Sequence, residues 1–227
     1  MIFKNKPSVF IVAVVGPDGV GKTTSINECK NKLIENKYSF ISKHHVWGNL
    51  DERPTDNYNL TYFKPLISKD RRNIFFKIYN YLISIMNIIF AEIMYVIKLN
   101  NMISDAAKKY DLLLIDRYIY DKISAKVARN NFDYQFYLRK IFTIFVYRPD
   151  LCILLSNTPK EIHKRKYELS LVEAKLYLQS IKKIAKNKSS FFDEIFTDKS
   201  PNVVGQEMFN SINKFNIDNR FIIKDSK

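Results

Sequence analysis

Sulfur and imidazole are scarce, with two cysteines and three histidines in 227 residues. Cys29 and Cys152 lie far apart and show no C-x-x-C spacing. This excludes a disulfide scaffold and predicts buried thiols in a reducing, cytoplasmic setting. His44, His45 and His163 form no zinc pattern. Linkers, repeats and low-complexity tracts are missing too, so residues 1–227 read as a single domain. Acid is in deficit: 37 lysines and arginines face 23 aspartates and glutamates, a formal net charge of +14. Such a surplus suits polyanionic ligands, meaning nucleotides, nucleic acid or an anionic membrane surface. Most of these lysines read as ordinary solvated surface.

What is present describes a globular α/β chain. The 46% hydrophobic and 14% aromatic content excludes disorder. Lys4 and Lys6 precede the apolar run Val9 to Val15, as in a secretory leader. The run is short and enters Gly16-Pro17-Asp18-Gly19 without a cleavage site, so it reads as a buried strand. Ile78 to Ile97 has membrane-spanning length but carries Asn80, Ser84, Asn87 and Glu92. A glutamate in lipid is costly, which makes this a buried core or dimer-interface helix and argues against a membrane span.

Short β-branched runs alternate with helical ones. Val9 to Val15, Tyr38 to Ser42, Leu112 to Ile115, Leu151 to Ser156 and Glu194 to Thr197 are the expected strands. Helices are expected over Lys22 to Asn36, Asp70 to Lys109, Tyr118 to Val146, Pro159 to Lys186 (a pair) and Val203 to Phe215. That alternation predicts a parallel sheet covered on both faces, with right-handed crossovers and a ligand site at the strand C-terminal edge.

Gly16-Pro17-Asp18-Gly19-Val20-Gly21-Lys22-Thr23 satisfies G-x-x-x-x-G-K-S/T, between a strand and a helix, as a phosphate-binding P-loop requires. Glycines let consecutive amides turn inward onto phosphate oxygens, and the helix start adds its positive end. Lys22 is the expected partner of the β- and γ-phosphates of ATP, and Thr23 of Mg2+. Asp116 ends the strand expected at Leu112 to Ile115 and is a second magnesium candidate. Motor ATPases follow that aspartate with glutamate to polarise water; here Arg117 follows. A guanidinium cannot serve as a base but fits a phosphate on a second substrate. No N-K-x-D segment reads guanine. The expectation is therefore phosphoryl transfer from ATP to a phosphorylated small molecule.

These residues resemble the thymidylate kinase family and its divergent relatives. The resemblance rests on Gly16 through Thr24, on Asp116-Arg117-Tyr118, and on Pro149-Asp150-Leu151 leading to Thr158-Pro159-Lys160-Glu161 and Arg165. It implies a P-loop three-layer sandwich with a five-stranded parallel sheet and a small helical lid near residues 158–175, in a chain that is often a homodimer. It also implies that Asp18 approaches the acceptor's sugar, Asp116 serves the transfer site, Arg117 binds the acceptor phosphate and Arg165 reaches the transferring phosphates. Arg53, Trp47 and Tyr120 become acceptor-pocket candidates. The family's Arg-Glu-Pro-Gly-like turn and its base-reading Ala-Tyr-Gln are replaced by Val46 to Pro54 and by Ile119 to Lys126. The resemblance implies dTMP as the leading acceptor, and because the departures fall on the acceptor side a non-nucleotide or sugar acceptor is the runner-up. Nucleotide-dependent binding to nucleic acid or membrane ranks third, without a nucleic-acid-binding signature.

Overall fold

The protein's computed structural model describes residues 7–44 and 74–217. Five strands, β1 (Phe10–Val15), β2 (Phe40–His44), β3 (Leu112–Asp116), β4 (Leu151–Ser156) and β5 (Phe191–Phe196), form one sheet. Their order is β2-β3-β1-β4-β5, and every pairing is parallel. β1, β3 and β4 are buried throughout. That explains their continuous Val, Ile and Leu runs, since a strand covered on both faces has no side left for polar residues. The edge strands β2 and β5 are half-buried and accordingly more polar.

Among the described residues, seven α-helices run between and after the strands: α1 (Lys22–Glu35), α2 (Ile74–Ala107), α3 (Ile119–Ala128), α4 (Tyr134–Phe142), α5 (Pro159–Arg165), α6 (Leu171–Lys188) and α7 (Pro201–Ile217). Helix α1 packs on α7, and α3 packs on α6. Right-handed crossovers put the first pair on one face of the sheet and α2 through α6 on the other. Side-chain caps mark several of their starts. Thr158 caps α5 by accepting from Glu161 N–H, with Pro159 at the first position, and Ser170 and Glu173 close a capping box on α6.

Of the two expectations for the apolar stretch, core or dimer interface, the core one needs correcting. The apolar stretch Ile78 to Ile97 is not a core helix along its length. Tyr95, Val96, Leu99, Ile103 and Ala106, toward the end of α2, are buried. Its first half leaves Ile78, Tyr81, Leu82, Met86 and Phe90 exposed. Glu92, the residue that made a lipid span costly, is buried and takes a hydrogen bond from Arg139 Nε on α4 at 2.7 Å. At 34 residues α2 is about 51 Å long, well beyond the sheet it leans on. By length and composition alone, its Ile78–Ala107 portion is long and apolar enough to cross a membrane.

Candidate functional site

The chain leaves the sheet centre through Gly16 and turns back into α1 over five residues. Gly16 has φ 151°, and a Cβ there would stand 2.5 Å from the Leu155 carbonyl oxygen of β4. Gly19, at φ 84°, would place a Cβ 2.9 Å from Lys166 Cβ. A side chain at either position would collide with a neighbouring element, so glycine is required twice over. Helix α1 starts after Gly21 with no side-chain cap and no acidic residue in its first turn. Its positive end faces the loop with its first amides free of a side-chain cap.

Lys22 is buried, and its ammonium donates to the carbonyls of Gly16 and Pro17 at 2.6 and 2.8 Å. Burial pulls its pKa down and nearby Arg117 adds to the effect, while Asp121, Asp18 and Asp116 pull the other way. An anion arriving in the loop would relieve the first two influences.

Asp116 closes β3 and lies level with Val14 on β1 and His44 on β2. His44 Nδ1 stands 2.5 Å from Asp116 Oδ2, while Oδ1 is buried with no hydrogen-bond partner among the described residues. Arg117 follows in the left-handed region at φ 70°, with its N–H on the Val14 carbonyl at 2.9 Å. Such a backbone is unfavourable for a residue with a Cβ. Here it accompanies a guanidinium that meets Asp18 in the loop, through Nη2 and Oδ1. Burial would raise the Asp18 carboxyl, but Arg117 and Lys22 outweigh it and hold Asp18 below the usual carboxylate range.

Beneath this surface lies a buried anchor. Asp121 Oδ1 accepts from Gly16 N–H at 3.1 Å and from the Tyr177 hydroxyl at 2.9 Å, and Oδ2 accepts from Tyr118 N–H at 2.9 Å. One carboxylate thus ties the loop, the start of α3 and the middle of α6 together. Burial raises its pKa against the pull of Lys22, Arg117 and the two amides.

Arg165, the last residue of α5, donates through Nη2 to the Thr197 carbonyl at 3.3 Å. Its Nη1 lies 3.7 Å from where a Cβ on Gly21 would stand. The structure therefore gathers Gly16 to Lys22, Asp116, Arg117 and Arg165 at one edge of the sheet. Thr23 and Thr24 are exposed in the first turn of α1. Tyr120 does not join them: it is buried, with its hydroxyl on the Lys188 carbonyl at 2.7 Å. Arg53 and Trp47 lie outside the described residues.

Sequence reasoning passed over His44, Asp121 and Tyr177. Asp121 had a signal, an acid three residues into a helix that begins at Tyr118. His44 acquires meaning only through strand register, and Tyr177 looks like any core-facing helical tyrosine. The chain matches no family description and has no significant match among curated proteins.

Proposed function

We propose that this is a P-loop phosphotransferase of the cytoplasm, passing the terminal phosphoryl group of ATP to a nucleoside monophosphate, with dTMP the leading acceptor. The observation that carries the reading is the contact between Arg117 and Asp18, which sets a guanidinium against the glycine loop. A donor phosphate on the loop amides and an acceptor phosphate on that guanidinium would be neighbours. Phosphoryl transfer depends chiefly on such alignment and on neutralising charge.

Each residue then has a task. The loop amides and the α1 terminus hold the donor phosphates, and Lys22 exchanges its two carbonyl partners for phosphate oxygens. Arg117 shares its remaining donors with the acceptor, while Asp18 faces the acceptor's hydroxyls. Arg165 reaches over the loop from α5 and supports the transferring group. The donor set fits magnesium as it accompanies nucleotides, with one or two protein oxygens and the rest from water and phosphate. Asp116 Oδ1, buried and without a partner among the described residues, and the hydroxyl of exposed Thr23 would be those oxygens. Magnesium bound there would neutralise charge on the β- and γ-phosphates.

A second reading, a kinase of the same architecture acting on a phosphorylated sugar or other non-nucleotide, draws support from Tyr120. Its burial takes one of the acceptor-pocket candidates out of the site. The test is ADP release from ATP and Mg2+ with a panel of nucleoside monophosphates and sugar phosphates. A single class of acceptor should stimulate release strongly. Equal release with and without every acceptor refutes both readings.

A further inference from the structure

His44 ends β2 opposite Asp116 on β3. Level positions on adjacent strands point their side chains to the same face, so ring and carboxylate meet there rather than across the sheet. His44 Nδ1 and Asp116 Oδ2 are 2.5 Å apart, and the two side chains are 35% and 7% exposed. A pair with one member this deeply buried is not a solvated surface contact. The carboxylate would otherwise be free to turn about its terminal torsion and offer either oxygen. With Oδ2 engaged, only Oδ1 is left, and Oδ1 is buried without a hydrogen-bond partner among the described residues. A buried carboxylate oxygen with no donor is an unfavourable arrangement that calls for an occupant.

We infer that His44 is a positioning residue of the transfer site: by holding Asp116 Oδ2 it fixes the carboxylate so that Oδ1 alone is presented to the nucleotide-bound cation. The inference rests on the phosphotransferase reading. It follows the general rule that outer hydrogen bonds orient a ligating carboxylate and that their loss weakens metal binding about 10–100-fold. The ring has to carry its proton on Nδ1 to act as the donor, and Nε2 is then left as an acceptor. Asp116 stands near Lys22, whose charge it supports. A carboxylate held still at that point serves both the cation and the ammonium.

The experiment compares wild type with His44→Leu, which lacks a donor, and His44→Asn, which places an amide N–H near the position of Nδ1. Mn2+ affinity is read by electron paramagnetic resonance with ADP saturating, and ADP affinity without metal by calorimetry. His44→Leu should weaken Mn2+ binding about tenfold or more and leave metal-free ADP affinity within about twofold. His44→Asn should restore most of the loss, and thermal melts should show all three proteins folded. Wild-type Mn2+ affinity in His44→Leu overturns the inference, as does an Asn variant impaired as badly as Leu. An equal fall in metal-free ADP affinity also overturns it. A wild-type protein that binds no ADP refutes the phosphotransferase reading underneath, and that result is distinct from the other three.

Discussion

Replacing Asp121 with alanine removes the carboxylate that joins three elements under the loop. Two buried amides, Gly16 N–H and Tyr118 N–H, would lose this acceptor at once, and the Tyr177 hydroxyl would keep only its longer contact to the Gly16 carbonyl at 3.4 Å. An orphaned buried donor costs about 1–3 kcal/mol. Against this stands the relief of no longer burying a charge, a large offset for an isolated carboxylate. That relief is reduced here, because Lys22 and Arg117 would lose a counter-charge. The balance should be a loss of about 3 kcal/mol. Tyr177→Phe takes away one donor while Asp121 keeps two, and should cost about 1 kcal/mol. With a urea dependence of about 2 kcal/mol per molar, the midpoint followed by far-ultraviolet circular dichroism should fall by about 1.5 M for Asp121→Ala and about 0.5 M for Tyr177→Phe. The double variant should lie close to Asp121→Ala, because both changes break the same bond. A midpoint for Asp121→Ala within about 0.3 M of wild type would refute the anchor, and so would Tyr177→Phe being the worse of the two.

Lys22→Ala should lower turnover by three or more orders of magnitude with the melting curve intact, because the migrating charge loses its partner; a loss under about tenfold in steady-state rate would discard that role. Arg117→Ala should raise the acceptor KM about 10–100-fold, the equivalent of one charge-assisted contact, and move the ATP KM by no more than about threefold. An unchanged acceptor KM removes Arg117 from the acceptor site. Lys122 is pushed down to about 7, by burial first and by Arg139 of α4 second, with Glu92 of α2 opposing. A base depressed on folding loses stability as pH falls from its unfolded value near 10.5 toward 7. Lys122→Met should therefore melt above wild type at pH 7, with the gap closing as pH approaches 10.5; a gap that widens with pH would be the wrong sign.

The sheet was largely legible because its strands are short apolar runs, while the breaks between α3 and α4 and between α5 and α6 were left unbounded. Leu151 to Ser156 was bounded as β4 is, while the last strand, expected at Glu194 to Thr197, begins earlier at Phe191. Phe191 and Phe192 sit just after α6, where a helical and a strand reading of aromatics compete. The loop was legible because glycine spacing is a direct image of backbone shape. Tyr120 was misplaced for an equally physical reason. An amphipathic tyrosine next to an apparent acceptor site suits a pocket or a core, and only the turn of α3 against α6 decides between them. Asp121 and His44 escaped because their meaning lies in partners more than seventy positions away. Half of α2 escaped because its apolarity names a buried surface and the described residues do not cover it.

The position of β1 bears on the birth of the protein. It leaves the ribosome before the other four strands of the sheet, yet Val12 has its neighbours at Leu114 and Leu151. A nascent chain halted before Leu112 has no ladder to offer β1 on either side, and its most apolar segment must wait without partners. The loop waits longer still, since the elements that bracket Gly16 come from Leu155, Asp121 and Tyr177. The loop geometry should thus appear abruptly, once Tyr177 has been synthesised, and fragments ending before it should expose β1 to chaperones.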